Sequence, residues 1–250
     1  DGDVDEVVFM YPEITDEDFN QKIYMKQEFY DTTHMSKYKK TGFQLSSAQK
    51  FLKTYISEDT PYGGVMAIHG VGVGKTCTGI SIGENFRDKL KSEERKIHIF
   101  IPSSTLRQTW ENEIFNLDRE MAKQPQDGDV QCTGNYYSDI YHSLDHMADT
   151  GKHIRMKQLI RSHYNIRGYT QFVNDVRSKV KQRFNKKTNV LSKDAVLIKY
   201  IKDTYSNSVI ILDEVHMTRL SGNDSKNKEV PPYLELIVRY CENTRIVLLT

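Results

Sequence analysis

Unbroken apolar runs and apolar residues at helical spacing follow one another along this chain, and their order predicts an α/β fold with a mainly parallel sheet flanked by helices. Val65-Met-Ala-Ile-His69 reads as a buried strand, a glycine-punctuated turn follows, and the residues up to Ile82 begin a helix. Ile97 to Ile101 is a second buried strand, broken at Pro102, after which Ser103 or Ser104 can cap a helix holding Leu106, Trp110, Ile114 and Leu117. Tyr164-Asn-Ile166 and the turn Arg167-Gly-Tyr-Thr170 read as strand and turn before a helix beginning near Gln171. Ser208-Val-Ile-Ile-Leu212 has the continuous apolar character of a strand buried on both faces, and Arg245-Ile-Val-Leu-Leu-Thr250 is another parallel strand. Helices fill the spaces between. Ser46 or Ser47 caps one that runs to Tyr55 with Phe51 and Leu52 buried, ended by Asp59-Thr-Pro61. Ser192 or Asp194 starts another with Val196, Leu197, Tyr200 and Ile201 inward, and Pro231-Pro232 opens a third whose Leu234, Ile237 and Tyr240 face the sheet.

Composition adds boundaries to this pattern. At 250 residues and 38% hydrophobic content, the chain can bury one large core, or a core with an insertion. Residues 1 to 20 carry eight acidic side chains and no basic one, which predicts a solvated leader into a helix near Asp16 that Phe19, Ile23 and Phe29 pack loosely on the main body. With the polar, lysine-bearing stretch 30–42 as a linker, 1–42 is an acidic extension and 43–250 the main lobe. A strand–helix unit takes about 30 residues, so 133–206 is expected to hold a helical insertion. Residues 221–228 form a polar loop. Three scattered cysteines, Cys77, Cys132 and Cys241, predict a reducing compartment without a disulfide frame or zinc site, with Cys77 as a small packing residue. No apolar run reaches the roughly 18 residues of a membrane span, and the acidic start lacks the character of a signal peptide, so a soluble protein with no membrane partner is expected. The net charge of +1 gives no global drive toward nucleic acid, and a basic surface must be local. Arg177, Lys179, Lys181, Arg183, Lys186 and Lys187, with no acid among them, read equally as phosphate-neutralising cations and as a solvated helix face.

The chemistry concentrates at two places. In Gly70-Val71-Gly72-Val73-Gly74-Lys75-Thr76-Cys77 the glycines let backbone N–H groups converge on phosphate oxygens at a helix N-terminus. Lys75 would reach the β and γ phosphates and the Thr76 hydroxyl would ligate Mg²⁺. His69 stands where the strict phosphate-loop pattern has glycine, so the match is to its shorter Gly-x-Gly-Lys-Thr core. The second place is the end of the 208–212 strand, where Asp213-Glu214-Val-His216 puts two carboxylates at the edge at which parallel sheets bind ligands. Asp213 is the expected metal holder and Glu214 the expected base for an attacking water. Trp110 falls at helical spacing with Ile114, which favours core packing over base stacking.

These two motifs in this order resemble motifs I and II of superfamily 2 helicases and translocases of the DExH class. Tyr11-Pro-Glu-Ile, Phe19-Asn-Gln-Lys-Ile23, Lys26-Gln-Glu-Phe29 and His69-Gly-Val-Gly-Val-Gly-Lys-Thr-Cys77 are similar to the large-DNA-virus branch, that of the poxvirus-type early transcription factor small subunit and its nucleoside-triphosphatase relatives. The resemblance implies a RecA-like P-loop lobe that uses ATP and Mg²⁺, with Gln49 reading adenine and His216 and Thr250 coupling hydrolysis to movement. It also implies nucleic-acid contacts at Pro102, Ser103 and Ser104 (motif Ia) and at Gly168, Tyr169 and Thr170 (motif Ib), beside the cations Lys179, Lys181 and Arg183. Implied partners are single- or double-stranded DNA, a second RecA-like lobe in cis lying beyond Thr250, and a viral transcription factor subunit with RNA polymerase. The implied location is the virion and the viral factory in the host cytoplasm. Within that branch an initiation-factor ATPase is expected; alternatives are a termination and release ATPase, or a nucleotide-regulated structural subunit with little turnover.

Overall fold

In the computed structural model, residues 11–33, 43–70, 74–123, 131–180, 195–218 and 229–250 are described. Their elements run α1 (Phe19–Tyr24), α2 (Gln27–Thr33), α3 (Ser47–Tyr55), β1 (Gly64–Ala67), α4 (Lys75–Glu84), α5 (Arg87–Ser92), β2 (Ile97–Ile101), α6 (Arg107–Ile114), α7 (Leu117–Met121), α8 (Tyr136–Ser143), α9 (Asp149–His163), β3 (Tyr164–Gly168), α10 (Tyr169–Val180), α11 (Ala195–Tyr205), β4 (Val209–Leu212), α12 (Pro231–Tyr240) and β5 (Arg245–Leu249). The strands form one sheet in the order β1-β5-β4-β2-β3. Every pairing in it is parallel, so the expected α/β class is realised without an antiparallel strand.

Period-two alternation divides the strand side chains between two cores. Ile97, Ile99, Ile101, Val209, Ile211, Val247 and Leu249 point to one face, where they meet Ile80 of α4, Trp110 of α6, Tyr137 of α8 and Ile160 of α9. Phe100, Ile210 and Leu212 point to the other and meet Phe172 of α10, Leu197 and Ile201 of α11, and Tyr233 and Ile237 of α12. All four residues of β4 are buried, as a continuous apolar run between two helical layers requires.

Several expectations change. Among the described residues β1 pairs only with β5, so it is an edge strand in which only Ala67 is buried, and Met66 and Ile68 are exposed. The helix after β2 is shorter than its apolar spacing suggested: a 3₁₀ turn at Ser104–Leu106 precedes α6, Leu106 is exposed, and the extended Phe115 separates α6 from α7. On α3 the buried apolar residue is Tyr55, while Phe51 and Leu52 are half-buried. On α12 the buried face is Tyr233, Leu236 and Ile237, not the Leu234–Ile237–Tyr240 stripe. Val196 of α11 is exposed. Residues 133–206 hold α8 and α9, the sheet strand β3, and α10 and α11, which cover the second face.

The N-terminal segment is no loosely packed leader from residue 11 onward. Ile23 and Phe29 are buried, and Tyr55 and Tyr62 stack with ring centroids 4.3 Å apart within an aromatic cluster that takes in Phe19 and Phe51. The Tyr62 hydroxyl donates to the Pro12 carbonyl at 2.9 Å. Acidic residues at the surface positions dominated the composition of this stretch, while the few aromatic ones decide where it sits.

The cysteines also depart from expectation. Cys77 on α4 and Cys132 form a disulfide with Cα atoms 5.6 Å apart, 55 positions apart in sequence, so separation along the chain was no guide to distance. Only Cys241 is free. Closing a loop of this length restricts the unfolded chain, and Cys132→Ser is expected to cost about 4 kcal/mol of stability. Urea unfolding of the full-length protein without reductant measures this; equal midpoints for variant and parent would show that the bond contributes nothing.

Candidate functional site

The phosphate-loop helix begins where the chain turns through Gly74, which caps α4 in the left-handed region at φ 82°. A Cβ there would also lie 2.7 Å from Gln49 Nε2, which would have to move aside, so the left-handed backbone is what selects glycine. The Gly74 carbonyl accepts from Gln49 Nε2 at 3.1 Å and from the Thr78 hydroxyl at 3.2 Å, and that hydroxyl stands 3.2 Å from His69 Nε2. His69, the departure from the strict pattern, therefore braces the first turn of the helix through Thr78. Gly70 is exposed, and Thr76 is half-buried beside Lys75. Val71, Gly72 and Val73 lie outside the described residues.

At the end of β4 the chain bends sharply. Glu214 has φ 51°, a left-handed conformation costly for a side chain of this type. The bend brings Asp213 and Glu214 together onto Lys75. Its ammonium donates to Glu214 Oε1 in a short ion pair and lies 3.5 Å from Asp213 Oδ1. Asp213 is buried, and its Oδ2 accepts from Trp110 Nε1 at 3.3 Å. Burial pushes its carboxyl above the ordinary value, against the opposing pull of Lys75 and the Trp110 hydrogen bond. Its backbone is fixed twice more: the Tyr169 hydroxyl donates to the Asp213 carbonyl at 2.7 Å, and the Asp213 N–H donates to Phe100 O at 2.9 Å.

His216, in the 3₁₀ turn Val215–Thr218, has Nδ1 3.4 Å from Glu214 Oε2 and 2.9 Å from Thr250 Oγ1. Thr250 is itself laced to β1, donating to Ala67 O at 3.1 Å and accepting from His69 N–H at 2.9 Å. A carboxylate–imidazole–hydroxyl chain thus joins the end of β4 to the end of β5.

Gln49 sits on α3 with both ends of its amide engaged. Oε1 accepts from Ser46 N–H at 2.8 Å in a capping box, while Nε2 serves Gly74. The motif Ia and Ib residues share one edge of the lobe, because a Cβ on Gly168 would lie 3.0 Å from the Ser104 nitrogen, and glycine lets the two turns meet. Ser103, Ser104 and Thr170 are exposed and Pro102 is half-buried. Tyr169 is fully buried with its hydroxyl turned inward to Asp213. Lys179 is exposed near the end of α10, and Arg177 is engaged with Glu229 at 2.9 Å and the Tyr233 hydroxyl at 3.1 Å. Lys181, Arg183, Lys186 and Lys187 lie outside the described residues.

With this geometry in view, comparison with known proteins is informative. Two proteins of Acanthamoeba polyphaga mimivirus named as putative ATP-dependent RNA helicases are similar to the chain. One is 24% identical over 269 residues, 96% of this chain and 22% of the relative, and the other 31% identical over 208 residues, 82% of this chain and 29% of the relative. A protein of Frog virus 3 (isolate Goorha) named as a putative helicase is 29% identical over 172 residues, 68% of this chain and 14% of that protein. The chain is related to helicase-named proteins of large DNA viruses. It spans less than a third of the length of these relatives. No protein-family model matches it, and no solved structure matches it. The all-parallel sheet with helices on both faces accords with a RecA-like helicase lobe.

Trp110 is a site residue that sequence reasoning missed, and Tyr169, expected at a nucleic-acid contact, is instead buried and bonded to Asp213. Trp110 was expected only to pack, and it packs, but its single polar atom also serves Asp213. The available signal was that a buried tryptophan needs an acceptor for its N–H.

Trp110→Phe keeps one aromatic ring in the core and removes that donor. The carboxyl pKa of Asp213, already raised, should rise further. A carboxyl raised above its unfolded value lowers stability at neutral pH, and this loss is relieved as pH falls through the folded value, so the variant's stability should improve more on acidification than the parent's. Carbon-13 titration of the Asp213 carboxyl measures the shift directly; superimposable curves would remove Trp110 from the site.

Proposed function

We propose that the chain is the ATP-binding lobe of a nucleic-acid-dependent ATPase of the superfamily 2 helicase and translocase type. The observation that carries this reading is the convergence of Lys75, from the first turn of the phosphate-loop helix, on Asp213 and Glu214 at the C-terminal end of the central strand β4. The relatives' names support it.

The residues fit a magnesium ion. Asp213 Oδ1 is buried and accepts no hydrogen bond, and the Thr76 hydroxyl lies on the neighbouring first turn of α4. Two protein oxygens suit an ion that keeps waters and substrate phosphates in most of its coordination shell. Bound there, Mg²⁺ would neutralise charge on the phosphates. Lys75 exchanges its carboxylate partners for the β and γ phosphate oxygens, which frees Glu214. Glu214 then orients the attacking water and accepts its proton, while Asp213, with Thr76, would hold the metal when it is bound. His216 links Glu214 to Thr250, so a shift at β5 alters the position of the base. Ser103, Ser104 and Thr170, exposed on one edge, bind backbone phosphate, with Lys179 beyond them.

A viral transcription-initiation role is our finer reading. It is supported by the resemblance of the stretches at Tyr11, Phe19 and Lys26, with RNA polymerase and a second RecA-like lobe as partners. A promoter-dependent transcription assay with the full-length protein tests it, and initiation that does not need the protein would refute it.

The enzymology has sharper tests. Lys75→Ala should abolish ATP binding or turnover with the fold retained, judged by circular dichroism and steady-state ATPase. Glu214→Gln should bind Mg-ATP yet turn over ~10² to 10⁴ more slowly, whereas Asp213→Asn should lose metal-dependent binding. One shared defect would contradict the division of roles. Thr250→Ala should leave basal hydrolysis in place and reduce its stimulation by DNA; stimulation equal to the parent's would take Thr250 out of the coupling path.

A further inference from the structure

The strand β3 closes the sheet on the side away from β1. Along its outer edge runs a cavity of about 320 Å³ between the start of β2, the C-terminal end of α9 and the first turns of α6. Four cations line it, Lys96, Arg107, Arg161 and Arg167, against a single carboxylate, Glu111. In a protein of net charge +1, that is a strong local excess.

Two of the cations, Arg161 and Arg167, are partly answered by carboxylates, and two, Lys96 and Arg107, are held by neutral groups. Lys96 Nζ donates to the Arg161 carbonyl at 2.8 Å, so its charge meets a dipole and no anion. Arg107 donates through Nη2 to the neutral Gln171 amide at 3.0 Å, and its buried Nε has no acceptor among the described residues. Arg161 approaches Glu111 only to 3.6 Å with a largely exposed side chain, and Arg167 is split between Asn165 at 2.9 Å and Asp175 at 3.4 Å. The field reaches inside the sheet: burial first, and then Lys96, Arg95 and Arg167, hold the pKa of His98 down to about 3.

The lining also says what kind of anion it suits. Its one ring, Tyr164, is 3% exposed, so no aromatic face is offered to a nucleobase. Cations are offered to phosphate. The upper rim is continuous with the motif Ia and Ib surface, since Arg107 follows the Ser104–Leu106 turn and Arg167 precedes Gly168, which touches Ser104.

We propose that this β3-edge cavity is a second phosphate-binding site, which holds the sugar-phosphate backbone of the nucleic-acid strand as it leaves the Ser103–Ser104 surface. The site extends the strand's path down the side of the lobe, away from the ATP site. It rests on the reading that the protein acts on nucleic acid.

The test uses the full-length protein, Arg161→Gln, and the double variant Lys96→Gln/Arg161→Gln. Anisotropy of a fluorescein-labelled 20-nucleotide single strand is followed across a salt series. Each lost contact should weaken binding about fivefold at 0.1 M salt and flatten the slope of log affinity against log salt by about 0.7. ATPase without nucleic acid should stay at the parent's rate, since neither residue belongs to that site. The double variant could perturb the end of α9, and the single variant at an exposed side chain controls for this. Parent-like affinity and slope in both variants, with intact fold, would overturn the cavity and leave the ATPase reading standing. A parent protein that binds no strand would overturn both. If calorimetry with inorganic phosphate shows binding lost in the variants while the oligonucleotide still binds like the parent, the cavity takes a small anion and the backbone assignment fails.

Discussion

A buried carboxylate has to be answered by its surroundings, and in this lobe the carboxylate is Asp213. Its answers come from different parts of the chain: a charge from Lys75 on α4, an indole N–H from Trp110 on α6, and a phenol from Tyr169 on α10 that fixes the neighbouring carbonyl. Stripping one partner from a buried charge costs about 3–5 kcal/mol, which is a large share of the roughly 5–15 kcal/mol that holds a domain folded. Helices on both faces of the sheet therefore meet at this one residue, α4 and α6 at its carboxylate and α10 at its carbonyl. Displacing α6 would cost the carboxylate its indole donor, and displacing α10 would free the carbonyl beside it.

The left-handed bend at Glu214 follows from that constraint. With Asp213 committed inward, an extended backbone would send the next side chain to the opposite face. At φ 51° the chain instead brings Glu214 to the same ammonium and within reach of His216. The strain is local, and the ion pair with Lys75 and the contact to His216 offset it.

What was legible in the chain was what local chemistry encodes. The places of the strands along the chain, the Ser46 cap and the two motifs that meet at Lys75 all follow from runs, spacings and glycine, and β4 is buried over its whole length as its apolar residues require. What was not legible depended on which neighbour an element acquires. The Val65–His69 run reads as a buried strand, yet β1 is a largely open edge among the described residues because pairing partners are not written in a strand's own sequence. The Cys77–Cys132 bond and the indole of Trp110 were hidden for the same reason, since each depends on a residue far away in the chain. For the N-terminal segment the packing residues Ile23 and Phe29 were legible and only the tightness was not, because acidic composition averages over a stretch while a few apolar side chains decide its packing.

Gln49 shows how a single side chain can serve two readings at once. A glutamine amide has one strong acceptor and two N–H donors. Here the acceptor caps α3 through Ser46 and a donor holds the carbonyl of Gly74, the residue that sets the phosphate loop's left-handed turn. Any adenine contact must use the remaining donor or displace one of these bonds. The second route would loosen either the start of α3 or the turn at Gly74. Because α3 also carries Phe51 and Tyr55 of the aromatic cluster that packs against the N-terminal segment, the Gln49 amide ties the helix beneath that segment to the left-handed turn at Gly74.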